Sequence, residues 1–305
     1  MREETKMLQI GNNQGQKDTP AVGAQMDGNI RNTYARKDYI DYLRAAATVA
    51  VVFYHCNTPG EQGFGSIVKI LFNWCVPIFL MITGALFLDS EKEVTEVRIF
   101  RKTIPKIVGI LVIWGSMYNC LSLFAIEGIS FSSVRKAVTM VLCADTTYCY
   151  QFWYLYYIVG AYILLPLIKP WVEKNMGKAP NGETKILFAV ILLFGLLIPS
   201  VRRILGETGS YWKGAFSIFS GLWIYLLCGC WLSKWHLSSK LRIILFATWL
   251  GQLIWLLISI FKGNTEKAEL WYGYESFFTW EMSVLLFDTI HRINVSRVPA
   301  RLNKL

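Results

Sequence analysis

The sequence is short of charge. Only 17% of its 305 residues are Asp, Glu, Lys or Arg, against 54% hydrophobic, and the mean hydropathy is +0.37. That balance excludes an ordinary soluble domain and describes a chain whose main solvent is lipid. Acidic residues are scarcer than basic ones, 21 against 31, which leaves a net charge of +10. No long basic run with interleaved aromatics goes with that excess, which falls instead in loops between apolar segments. Membrane topology and lipid headgroups account for charge placed this way, so nucleic acid is not expected as a partner. The first thirty residues lack an apolar segment, and no signal peptide is expected there. Cysteine forms no metal-binding pair: Cys228 and Cys230 stand two apart and point away from each other on a helix. Cys143 and Cys149 flank a loop and are the pair that could bridge, while the others read as small apolar packing residues. No internal repeat is found, and no metal is expected.

What the chain does have is a succession of apolar runs of about the 20 residues that a membrane-spanning helix needs. They fall at roughly 40–57, 66–88, 104–126, 148–168, 185–201, 214–233, 241–261 and 274–291. The expected fold is therefore all-α: a polytopic transmembrane helix bundle of about eight spans, forming one domain over 38–291. A disordered cytoplasmic tail is expected at 1–37 and a short cytoplasmic tail at 292–305. Residues 127–147 read as either an amphipathic helix or an outer loop. Pro77 and Gly84, inside the second span, call for a kink or a close helix contact. With both termini placed inside, inner segments hold about three times as many Lys and Arg as outer ones. The expected location is a membrane, with both termini on its cytoplasmic side.

The first span carries the least expected residues. Arg44 and His55 are eleven apart on one apolar helix, three turns plus about 20°, so they share a face. Their backbones lie about 16 Å apart along the axis. Ionisable groups inside a span are costly and usually face a bundle interior or a wet cavity. A snorkelling arginine and a hydrogen-bonded histidine would look the same, so both readings stand at this point. Asp41, three residues before Arg44, is expected to pair with it structurally. Arg98 and Arg101 are i,i+3 neighbours in the first inner loop and can present two guanidinium forks together, a shape suited to phosphate. Lipid headgroups are the other ligand for them. Trp153 and Tyr154 open the fourth span and could line a sugar-binding cavity or anchor the interface. Glu281 is expected to face the bundle, with a tyrosine or histidine as partner, and His236 and His291 to be solvated at inner span ends.

Four stretches in order resemble one family. Asp38 to His55 reads like the first helix of the acyltransferase-3 integral membrane acyltransferases, Ile-Asp-x-Leu-Arg followed by an apolar run and His. Val76 to Leu86 is similar to its Val-Pro-x-Phe-Phe-x-x-Ser-Gly segment, with Thr83 in place of the serine. Arg98-x-x-Arg101 follows, and then Phe152-Trp153-Tyr154-Leu155 leading to Tyr162 and Pro166. The resemblance implies transfer of an acyl group, typically acetyl, from cytoplasmic acyl-CoA to a hydroxyl of an envelope glycan or lipid-linked sugar. It implies His55 as the catalytic residue, Arg44 as a contact to the pantetheine or thioester region, and Arg98 and Arg101 as contacts to the CoA phosphates. Acyl-CoA would be a co-substrate, with no tightly bound cofactor. Family members usually have two more spans at the carboxyl end, so a shortened or inactive variant is a second expectation. A third is a substrate-binding or transport module like the membrane half of glycopeptide-resistance racemases, and a purely structural membrane protein is the blandest reading.

Overall fold

The computed structural model describes residues 38–56, 64–88, 96–176, 182–204, 221–264 and 271–293. The tails expected at 1–37 and beyond 293 lie outside the described residues. Within them 86% of residues are helical and no strand occurs, as an all-α bundle requires. The helices are α1 (Asp38–His55), α2 (Phe64–Phe72), α3 (Cys75–Phe87), α4 (Ile104–Glu127), α5 (Phe131–Leu142), α6 (Trp153–Met176), α7 (Gly182–Leu192), α8 (Ile198–Ile204), α9 (Trp223–Lys234), α10 (Ser239–Phe261) and α11 (Phe277–Arg292). Among the described residues, five helical runs are long and apolar enough to cross a membrane: Phe64–Phe87, Ile99–Glu127, Tyr150–Asn175, Gly182–Arg202 and Ser239–Phe261. The other three expected spans fall on α1, which carries Asp38, Asp41 and Arg44, on α9, with 12 described residues, and on α11, with 16.

The centre of the bundle is α3. From Cys75 to Ala85 every side chain except Phe79 is buried, which is what an all-round apolar helix demands. Its partners are α9 and α11, both buried along most of their length. Gly84 and Gly229 make the α3–α9 crossing possible. A Cβ on Gly84 would stand 1.9 Å from the Leu226 carbonyl oxygen, and one on Gly229 would stand 1.9 Å from that of Met81. Backbone meets backbone at both points, the close approach that small residues allow between membrane helices.

The second span is broken between α2 and α3, at Asn73–Trp74. Pro77 explains the position: it has no N–H for the carbonyl four residues earlier, Asn73, and its ring would clash there. Asn73 is buried, and its side-chain amide donates to the Tyr272 carbonyl and to Thr279 Oγ1 at 3.3 Å. The break thus becomes an anchor for the segment that leads into α11.

Residues 127–147 resolve into α5, an amphipathic helix capped by Ser130, whose hydroxyl accepts from the Ser133 N–H at 3.2 Å. Its buried face, Ser133, Ala137, Met140 and Val141, lies against α4. Cys143 and Cys149 do not bridge; the Cys149 thiol reaches Asn119 instead. The loop between them turns on Asp145, whose carboxylate accepts from the N–H and hydroxyl of Thr147. Those bonds favour the charged form and hold its pKa below the usual carboxylate range.

Candidate active site

Helix α1 buries Tyr39, Ile40, Leu43, Ala47 and Ala50, a stripe at helical spacing. Arg44, Thr48 and His55 lie off that stripe and are exposed. Asp41 and Arg44 form an ion pair at 2.9 Å, and Thr48 Oγ1 donates to the Arg44 carbonyl at 2.8 Å. One carboxylate oxygen therefore holds one nitrogen of the guanidinium, and the rest of the fork faces outward, with 49% of the side chain exposed.

His55 has a partner that no local spacing reveals. Its Nδ1 is 2.7 Å from the Tyr150 hydroxyl, 95 residues away, in the turn Tyr150–Phe152 that leads into α6. The opposite end of α1 meets the same helix: Tyr162 lies within electrostatic reach of Arg44, and its ring packs edge-on against Phe87 of α3, 5.0 Å away. Tyr150 lies at the His55 end of α1 and Tyr162 toward the Arg44 end, so α6 runs antiparallel to α1. Thr83, which stands where the resembled pattern has serine, donates to the Phe79 carbonyl at 2.9 Å. The strip from Arg44 to His55 thus has a tyrosine near each end, Tyr162 and Tyr150.

Around His55 the aromatic rings form a chain. Tyr54 lies edge-on to His55 with centroids 5.3 Å apart, Tyr274 is 6.4 Å from Tyr54, and Trp153 is 5.2 Å from Tyr274. Tyr154 stands behind Trp153, 6.3 Å away, and packs on Phe79 at 6.2 Å. Two rings, Tyr54 and Tyr274, thus stand between His55 and Trp153, and three between His55 and Tyr154. The Tyr274 wall is held from below, where Tyr225 Oη donates to the Tyr274 carbonyl at 2.7 Å. Tyr54, Tyr150, Tyr162 and Tyr274 are functional candidates that spacing alone does not find. Among the described residues, no group of three His, Cys, Asp or Glu side chains could hold a metal ion.

Arg98 and Arg101 belong to another part of the molecule. Both are exposed, in the stretch Glu96–Thr103 that leads into α4. From Ile99 to Thr103 this stretch is a π turn, closed by the Ile104 N–H on the Ile99 carbonyl. A turn closed by i→i+5 bonds holds more than four residues, so Lys102 comes closer to overlying Arg98 than Arg101 does. The pair expected from α-helical spacing becomes a basic turn of three side chains. Such turns are frequent at functional sites.

Two readings of the carboxyl-terminal half are corrected. Glu281 is fully buried, but its partners are Thr248 and Gln252 of α10, each at 2.5 Å, and not a tyrosine or histidine. His236 and His291 are not simply solvated. His236 Nδ1 is 3.3 Å from the buried Asp288 carboxylate, and the His291 ring packs against Tyr39 at 4.2 Å and His236 at 4.5 Å. Asp288 also accepts from Arg292 Nε at 2.8 Å and from the Leu237 N–H at 3.1 Å, with Arg242 4.0 Å away.

A family described as an acyltransferase domain matches residues 37–305. No curated protein and no solved structure matches the chain.

Proposed function

Because the chain belongs to the acyltransferase-3 family of membrane acyltransferases, we propose that it moves an acetyl group from cytoplasmic acetyl-CoA to a hydroxyl of an envelope glycan or lipid-linked sugar. The observation that carries this reading is the His55–Tyr150 contact of 2.7 Å, at the opposite end of α1 from Arg44. The Tyr150 oxygen accepts from His55 Nδ1–H, which leaves Nε2 with its lone pair as the base. Nε2 takes the proton of the acceptor hydroxyl as its oxygen attacks the thioester carbonyl. The carbon–sulfur bond breaks, the ester forms, and the departing thiolate takes the proton back from the imidazolium, so that free CoA leaves. Imidazole is the side chain best suited to taking up and returning a proton in this way.

The donor lies along α1 in this reading. Arg98, Arg101 and Lys102 bind the CoA phosphates on the basic face, and Arg44 steadies the pantetheine arm across the roughly 16 Å to His55. Tyr54, Trp153 and Tyr274 offer ring faces on which a sugar can stack, and the exposure of His55 supports entry of the acceptor at that end. The excess of Lys and Arg in segments on the Arg98 side supports a cytoplasmic location for both termini.

The test is acetyl transfer by purified protein, with protein level and CoA binding followed in parallel. His55→Ala and His55→Gln should each lower transfer by about 10²–10⁴-fold while CoA still binds. Glutamine keeps a hydrogen-bonding side chain at this position but has no titrating base. Near-normal transfer by a well-expressed His55→Gln protein would remove His55 from the chemistry. Acceptor binding without any CoA turnover in the unaltered protein would favour a binding or transport module instead.

A further inference from the structure

A cavity beside α9 and α11 shares none of this chemistry's residues. It has a volume of about 480 Å³ and is bounded by α7, α9, α10 and α11. That is within the range of about 300–1,000 Å³ usual for small-molecule sites. Its deep walls are apolar, formed by Phe188, Trp231, Leu245 and Trp280 among others. Its polar groups gather at one end: Lys185 in the first turn of α7, and His236 and Ser238 in the link between α9 and α10. Ala189 and Leu241, on the two flanking helices, line it and are exposed, so it opens sideways between α7 and α10.

The shape of this polarity selects the occupant. Lys185 makes no ion pair among the described residues, and Lys240 sits beside the mouth in the first turn of α10. The acidic group behind the mouth, Asp288, is already matched by Arg292 at 2.8 Å, with Arg242 at 4.0 Å. His236 turns Nδ1 to that carboxylate, which leaves Nε2 for a ligand. The mouth is therefore cationic and the interior is hydrocarbon-like. From Lys185 to Leu192 the lining runs seven helical rises, about 10 Å along α7, or about a third of the hydrocarbon thickness. It reaches into one leaflet and no farther. A void of this size left empty would strip its walls of dispersion contacts, and no polar group deeper in it could hold water.

We propose that this cavity binds an anionic phospholipid from the leaflet on the basic face, with one acyl chain between α7 and α10 and the phosphate between Lys185, His236 and Ser238. The proposal is independent of the transfer chemistry assigned above.

Photo-crosslinking of the full-length protein in nanodiscs tests it. The probe is phosphatidylglycerol with a diazirine on one acyl chain, compared with phosphatidylcholine carrying the same chain, and adducts are mapped by peptide mass spectrometry. Adducts should concentrate on the Trp231 and Trp280 peptides and be about fivefold stronger for phosphatidylglycerol, the effect of one basic side chain near an anionic headgroup. Lys185→Ala should bring phosphatidylglycerol down to the phosphatidylcholine level. Ala189→Trp, which fills the lateral opening, should abolish adducts for both lipids. Should the tryptophan variant not fold, Lys185→Ala still decides, because it removes an exposed side chain and no packing. Equal labelling by the two lipids would overturn the proposal, as would adducts spread evenly over the lipid-facing helices. Loss of adducts on adding palmitoyl-CoA but not acetyl-CoA would show a donor tail in the cavity and overturn it too. No adduct with either lipid from a protein that runs as a dimer would give the cavity to a second copy.

Discussion

Replacing Gly84 by alanine adds one carbon where there is no room for it. The new Cβ would lie 1.9 Å from the Leu226 carbonyl oxygen and 2.6 Å from its carbon, while real contacts essentially never fall below 3.0 Å. The obstacle is backbone, so no rotamer change relieves it. The α3 and α9 backbones must part by at least 1.1 Å at this point, the difference between 3.0 and 1.9 Å. A radial gap of about 0.5–1 Å already forfeits a quarter to a half of each dispersion contact facing it. The α3–α9 crossing lies inside the buried core, and overpacking there costs about 1–3 kcal/mol. The expected result is a lower unfolding temperature for Gly84→Ala in detergent, followed by tryptophan fluorescence. Gly109→Ala is the internal control: nothing lies within 4 Å of a Cβ there, and alanine is favoured over glycine by about 1 kcal/mol in a helix interior. The two variants should move in opposite directions. Phe87 is three residues past Gly84 on α3, so parting the helices shifts its ring against Tyr162, and acyl transfer should fall even at temperatures where the variant stays folded. If Gly84→Ala unfolds at or above the temperature of Gly109→Ala, backbone contact between α3 and α9 is not what holds the core.

Three further outcomes follow from the same geometry. Tyr150→Phe removes only the hydroxyl on His55 and should lower kcat about 2- to 10-fold with KM for acetyl-CoA unchanged, the worth of one neutral hydrogen bond, while an unaltered kcat would detach Tyr150 from the histidine's work. Arg98→Ala and Arg101→Ala should each weaken CoA binding about 10- to 150-fold in equilibrium titration, and lysine at either position should restore only part, because the planar fork is lost; unchanged affinity in both alanine variants would move the phosphate site elsewhere. Asp288→Ala should lower stability by about 3 kcal/mol, the low end for breaking a buried pair, since its cationic partners keep 34–44% exposure and can rehydrate; Asp288→Asn, which still accepts from the Leu237 N–H, should cost less, and equal unfolding temperatures for alanine, asparagine and the unaltered chain would argue against the cluster.

The parts of this architecture that could be read in the sequence are those governed by local spacing. Arg44 and His55 share a face because eleven residues nearly close three turns, and Asp41 reaches Arg44 because it is three residues away. Apolar runs located the long helices because lipid imposes length and composition directly. Partners across the bundle left no such trace. Tyr150 is 95 residues from His55, and Gln252 is 29 from Glu281, so nothing in either neighbourhood names the other. Pro77 announced an interruption but acted four residues upstream, at Asn73, because its missing donor belongs to that turn. The π turn at Ile99–Thr103 swings Arg101 away from Arg98, because a turn there holds more than the 3.6 residues of an α-helix.

The run from Ile99 to Glu127 is 29 residues long, which at about 1.5 Å per residue gives about 43 Å. A bilayer offers about 30 Å of hydrocarbon. Only a steep tilt could hide the difference, and the exposed Arg98, Arg101 and Lys102 at its start favour projection into water. The excess of about 13 Å then sets the basic turn at the level of the headgroups, since hydrocarbon and headgroups together measure about 40–45 Å. Its depth is fixed by the membrane and not by the protein. A thicker bilayer draws it deeper among the headgroup phosphates, and a thinner one lifts it clear of them.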